Sequence, residues 1–258
     1  MNSCCRPNAE PKSSVPERSV SALLVDVGNS RLKWQHRDGD SVLSEHQCAL
    51  AEVTSAPWPE EVSRVLVASV RDHTDLHQFL QRIYGQRLVW LAHPPHSDQR
   101  IHHCYPDPAR LGVDRWLAML GARSYKEGAL LVVDAGTALT IDLLDAEDRH
   151  VGGYIVPGLT TSREVLFSRT DKVRPFADEA DAGALLPGQN TLNCVAAGTL
   201  RQQVALVQSV ADEYPDYQLM LTGGDGEQLA GLLCSRHYPD LVFNGMNQIC
   251  AGLFTASS

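Results

Sequence analysis

Two acidic, glycine-containing segments about a hundred residues apart carry the side chains with the clearest capacity for chemistry, Asp26-Val27-Gly28-Asn29-Ser30 and Asp134-Ala135-Gly136-Thr137. An Asp at the end of a buried strand can hold a hydrated metal ion. The glycine, amide and hydroxyl residues that follow offer main-chain N–H groups and side-chain donors to phosphate oxygens. Lys33 strengthens the first segment, because strand alternation sets it on the face opposite Trp34, where an ammonium can reach a phosphate. Downstream, Thr222-Gly223-Gly224 permits a second close approach of backbone to a ligand such as a nucleoside. Together these segments read as a nucleotide-phosphate clamp built from two halves.

Asp114 and Arg115, in "GVDRWLAML", stand at the start of a helix. An Asp there caps the helix or accepts a proton from a substrate hydroxyl, and Arg115 can hold an anionic group bidentately. On the residues alone both duties stay open. His93, His96, His102 and His103 occupy a Pro-rich stretch with no standard ligand spacing, and read as solvated loop residues.

The elements that must position these groups follow from periodicity. Apolar runs predict strands over Ala22–Asp26, Arg31–His36 and Ser41–Ala49, then a buried strand in "VSRVLVASV", an amphipathic helix ended by Gly85, and a strand in "QRLVWLA". After a polar loop, "VDRWLAMLGARSYKEG" has helical spacing. The order then restarts, with strands over Ala129–Asp134, Ala138–Leu144 and Arg149–Val156, and a helix near Thr160–Phe167. Residues 168–189 read as loop or partial helix. A long helix capped by Asn190 or Thr191 follows, then the strand "QLMLTGG", a short helix, a strand over Leu241–Phe243 and a terminal helix. The same element order occurs twice without a sequence repeat.

With 258 residues, 43% hydrophobic and 21% charged, the chain has the composition of a soluble globular protein of one large or two modest domains. Its net charge of −9 and lack of a Lys/Arg run disfavour a broad nucleic-acid surface. The seven cysteines show no paired spacing and read as reduced thiols of a cytoplasmic protein. The opening stretch, rich in Pro and Ser, lacks the apolar run of a signal peptide or membrane span, and is expected to be a disordered tail or to follow a start codon set too early.

In order and spacing, "DVGNSRLK", "GVDR", "DAGTALTID", "GGYIVPG", "NT" before "AAGT", and "TGGD" resemble the motif series of type III pantothenate kinases. The resemblance implies the α/β fold of the actin, sugar-kinase and acetate-kinase superfamily, two related ribonuclease H-like domains with a cleft between them. Its domains would be residues 21–127 and 128–258, after a tail over 1–20. It implies ATP-dependent phosphorylation of pantothenate to 4′-phosphopantothenate, the first step of coenzyme A biosynthesis. ATP would bind along Asp26, Val27, Gly28, Asn29, Ser30, Arg31, Leu32 and Lys33, and at Thr137, with magnesium at Asp26. Potassium or ammonium would lie at Asp134. Asp114 would be the general base, and Tyr105, Gly112, Val113, Arg115 and Thr191 would contact pantothenate, Thr191 near the interface of a homodimer. Another small-molecule kinase, a water-using ATPase and a nucleotide-binding regulator are the competing readings. The three intact Asp residues favour an enzyme.

Overall fold

The computed structural model describes residues 21–28, 31–95, 98, 100–176, 179 and 185–255. The expected tail, Asn29, Ser30 and His96 lie outside the described residues. Strands β1 (Ser21–Val27), β2 (Arg31–Asp38) and β3 (Ser41–Ala49) form an antiparallel meander. Strands β4 (Arg64–Ser69) and β5 (Leu88–Leu91) extend it in parallel, giving the order β3-β2-β1-β4-β5. Helix α1 (Thr74–Tyr84) supplies the crossover that a parallel pair requires, and stops at Gly85, whose φ of 55° suits a residue without Cβ.

The second half repeats the plan. β7 (Leu130–Ala135), β8 (Ala138–Leu144) and β9 (Arg149–Pro157) form the meander, β10 (Gln218–Thr222) pairs in parallel with β7, and the order is β10-β7-β8-β9-β6. Residues expected to be loop supply β6 (His102–His103), which pairs with Arg149 and His150. Helix α2 (Val113–Tyr125) links the halves, and α3 (Leu159–Arg169), α4 (Thr191–Glu213) and α5 (Gly226–Leu232) belong to the second.

Beyond β10, at the place that β5 holds in the first sheet, the described residues form only the bridge between Leu221 and His237. The strand expected over Leu241–Phe243 is instead the first turn of helix α6 (Leu241–Thr255). A three-residue apolar run has no period of its own, and here it starts a buried helical face continued by Met246, Ile249 and Cys250.

Strands β1 and β7 are buried on both faces, which explains their continuous apolar sequences. Leu23, Val25 and Val27 pack outward with Leu76 and Leu80 of α1. Ala22 and Leu24 face inward onto a central core shared with α2, α6, and Leu130 and Val132 of β7. The other face of β7, with Leu131 and Val133, packs on Leu200 and Val207 of α4 and Leu229 of α5. Thus α2 and α6 lie between two sheets, each with helices on its outer face.

The two central helices meet backbone to backbone. A Cβ at Gly121 would lie 1.8 Å from the carbonyl oxygen of Leu241, and one at Gly245 would lie 2.0 Å from that of Leu117. Polar bonds also pin α6 to the first sheet: Arg37 donates to Asn244 Oδ1 at 2.9 Å, and Gln35 donates to Asp240 Oδ1 at 2.9 Å. The last helix is therefore fastened to the second strand.

Candidate active site

Both glycine turns lie at equivalent strand ends. In the β1–β2 hairpin Asp26 is directly opposite Lys33, and the Gly28 N–H donates to the Arg31 carbonyl at 3.0 Å. In the β7–β8 hairpin Asp134 is opposite Thr140, and the Gly136 N–H donates to the Ala138 carbonyl at 2.9 Å. The diglycine segment closes over the second turn. Gly223 has a φ of 90°, and a Cβ there would lie 2.4 Å from both Asp134 Oδ1 and the Ala135 carbonyl oxygen, so no larger residue fits. The Asp225 N–H donates to that same carbonyl at 2.9 Å.

Asp114 is the second residue of α2. Gly112, not Asp114, is the N-cap, so the capping duty weighed for Asp114 is not the one it performs. Its Oδ1 accepts from the Arg115 N–H at 2.8 Å. The carboxylates of Asp26, Asp114 and Asp134 are within electrostatic reach of one another. Burial pushes Asp26 up to about 6, with repulsion from Asp114 adding and Lys33 opposing. Burial likewise pushes Asp134 up to about 7, with Asp114 and Asp26 adding and Lys33 again opposing. Asp114 is raised by burial against the pull of its hydrogen bond and charge interaction with Arg115. Asp26 and Asp134 thus share one ammonium, that of Lys33, while Asp114 has the Arg115 charge, and the crowding of acids is suited to added cations.

Beside them lies a second, fully packed cluster. Arg115 donates through Nε to Asp142 Oδ2 at 3.0 Å, through Nη2 to Asp142 Oδ1 at 2.5 Å, and through Nη1 to the Tyr105 hydroxyl at 2.9 Å. The guanidinium fork expected to grip an anion bidentately is therefore spent on Asp142. Burial disfavours the Arg115 charge, but the Asp142 hydrogen bonds and charge outweigh it and hold the group firmly protonated. His150 Nε2 lies 2.8 Å from Asp142 Oδ1, and its ring stacks parallel to that of Tyr105.

Residues 22–213 match the family model described as type III pantothenate kinase. A type III pantothenate kinase from Alcanivorax borkumensis is 36% identical over 247 residues, which is 89% of this chain and 98% of that protein. One from Pseudomonas aeruginosa is 35% identical over 250 residues, 88% of this chain and 98% of its own length. This chain belongs to the type III pantothenate kinase family.

Two solved structures share the fold. A conserved putative Baf family transcriptional activator from Campylobacter jejuni has a TM-score of 0.62 at 23% identity, over 90% of this chain and 99% of that one. A putative 2-dehydro-3-deoxygalactonokinase from Sinorhizobium meliloti has a TM-score of 0.59 at 16% identity, with the same coverage.

Of the residues that the pantothenate kinase motifs single out, Asp26, Lys33, Asp114 and Asp134 are brought together, and Tyr105 and Arg115 are bonded to each other. Val27, Leu32 and Val113 turn their side chains into the cores, leaving only their main chain to meet a ligand. Arg31 and Thr137 are exposed. The Thr137 carbonyl is occupied, accepting from the Gly158 N–H at 2.9 Å and the Thr161 hydroxyl at 2.7 Å. Thr191 is the first residue of α4, and among the described residues no hydrogen bond or ion pair ties it to this cluster. Sequence reasoning missed Asp142 and His150. The available signal was an acid inside the apolar run "ALTIDLL", since a carboxylate within a buried strand must find a partner.

Proposed function

We propose that this protein transfers the terminal phosphoryl group of ATP to the primary hydroxyl of pantothenate, giving 4′-phosphopantothenate and ADP, the first step of coenzyme A synthesis. The observation that carries this reading is Asp114: a half-buried carboxylate, set among the acids of both glycine turns and next to Arg115, with its pKa raised by desolvation. A base lifted toward the working pH is better matched to proton transfer than an ordinary surface Asp. Asp114 takes the hydroxyl proton as that oxygen attacks the terminal phosphorus, and the bond to the bridging oxygen of ADP breaks.

The main chain from Asp26 to Lys33 and the turn at Thr137 contact ATP. Family membership implies a divalent ion with ATP, and the donor set fits cations. Asp26 and Asp134 are carboxylates crowded by like charge, a cost that bound cations relieve. Asp26 would hold magnesium, and Asp134 a potassium or ammonium ion. Such ions, when bound, offset negative charge on the phosphate oxygens. Tyr105, Gly112, Val113 and Arg115 meet pantothenate, and Thr191 joins them near the interface of a homodimer. The two halves, 21–127 and 128–258, close on the substrates.

Among the described residues no helix is long and apolar enough to cross a membrane. On the proposed reading the enzyme works in the cytoplasm. A coupled assay of ADP release tests the activity. Release that needs pantothenate and magnesium is the expected result, and release that ignores pantothenate would replace the kinase with an ATPase.

A further inference from the structure

Asp142 and His150 have no part in the proton transfer, yet they are among the most deeply buried polar side chains of the second sheet. Asp142 is 2% exposed, and the His150 side chain 0%. Replacing a buried ion pair such as Arg115–Asp142 with apolar residues of similar volume is often neutral or stabilising, so stability alone does not account for the cluster. Their geometry offers another reason. Asp142 occupies the Arg115 fork, His150 flanks Asp142, and Arg115 in turn donates to the Tyr105 hydroxyl oxygen. β9 is built around the pair: a Cβ at Gly153 would lie 2.9 Å from Arg115 Nη2 and 3.0 Å from Asp142 Oδ1.

We propose that Asp142 and His150 are positioning residues that lock Arg115 onto Tyr105, so that the Tyr105 O–H, rather than an Arg115 fork, is the main donor selecting an acceptor that bears a carboxylate. The inference rests on the reading that Tyr105 and Arg115 face the phosphoryl acceptor. Three of the five guanidinium N–H donors are already committed to Asp142 and Tyr105. A hydroxyl whose oxygen accepts from a guanidinium is polarised, and its own proton becomes a stronger donor to an anion. The ring also lies parallel to the His150 imidazole, at a centroid separation of 6.1 Å.

The test compares the full-length enzyme with pantothenate and with its uncharged analogue, in which a primary alcohol replaces the carboxylate. Tyr105→Phe and Asp142→Asn should each raise KM for pantothenate about tenfold or more, the scale of a lost hydrogen bond to a charged group, and leave KM for the analogue within about twofold. The double variant should be little worse than either single one, because both act through one contact. His150→Ala, which removes both the ring and the nitrogen beside Asp142, should also raise KM for pantothenate and not for the analogue.

Equal rises for both acceptors, or fully additive effects, would overturn the proposal and leave Asp142 a structural residue. If Asp142→Asn does not fold, the Tyr105 and His150 variants decide on the same comparison. A parent that uses the analogue as well as pantothenate, or neither, would instead defeat the reading of the acceptor site itself.

Discussion

Asp114 carries the first prediction at the scale of single residues. Asn at this position still offers an Oδ1 to the Arg115 N–H but cannot accept a proton, so Asp114→Asn should fold and bind ATP like the parent. Its turnover should fall by about two to four powers of ten, the usual worth of a general base. Steady-state kinetics at saturating substrates, with a thermal melt as control, checks this, and retention of a third of parent turnover would remove Asp114 from the role. The pair Asp26 and Asp134 carries a second. Their pKa values in the folded state, about 6 and about 7, lie above the ordinary carboxylate value, so between about pH 4 and pH 7 the folded protein binds more protons than the unfolded chain. Their contribution to stability is complete at the acid end and is lost as pH rises through those values. Without cations, the thermal midpoint should drop from pH 5 to pH 8, Asp134→Asn should lessen the drop, and magnesium with potassium should restore more at pH 8 than at pH 5. A midpoint that rises over that range in both proteins, indifferent to ions, would contradict the assignment. Asp134→Ala should also abolish activation by potassium over sodium at fixed ionic strength.

At the scale of elements, what could be read from the sequence and what could not divide along physical lines. The hairpins at Asp26 and Asp134 were legible because a doubly buried strand, a glycine turn and a return strand leave a strong local pattern, and the observed Asp26–Lys33 register follows from it. The Arg115–Asp142–His150 contacts join α2, β8 and β9, and no local spacing encodes a contact made across that separation. The same limit hid the start of α6, whose remainder was legible as a terminal helix. Its first turn reads as a strand in isolation, and its helical state depends on packing against α2 through Gly121 and Gly245. That contact is open to test. Gly245→Ala would push a Cβ to 2.0 Å from the Leu117 carbonyl oxygen, where backbone has to shift. Despite the better helix propensity of Ala, the variant should lose roughly 1–3 kcal/mol, the cost of overpacking a core, read as a lower denaturant midpoint. Unchanged stability would mean that the two helices are not seated backbone to backbone.

At the scale of the whole molecule, a homodimer needs a surface that a second copy can cover, and the long helix α4 that begins at Thr191 does not supply it. The apolar face of α4 is already consumed in the second core, through Leu200, Val207 and Val210. Exposed apolar side chains occur at several places, among them Leu43 on β3, Phe176 and Leu186, and those that lie along a sheet edge with a neighbouring helix are on β9 and α3, with Val151 at 53%, Ile155 at 60% and Val165 at 50% exposure. β9 borders the second sheet except where the two-residue β6 pairs with Arg149 and His150, so from Val151 onward its outer side is an open edge among the described residues. An open edge with apolar side chains is a liability that folded proteins cover, and a second copy would do so on both chains at once. Light scattering at assay concentration should therefore give twice the chain mass. Ile155→Lys, which sets a charge on that edge without touching the carboxylates, should shift the mass toward the monomer and lower activity in proportion, because the Thr191 contact would go with the interface. A parent that is monomeric and fully active would overturn the dimer. A dimer indifferent to Ile155→Lys would move its interface off β9.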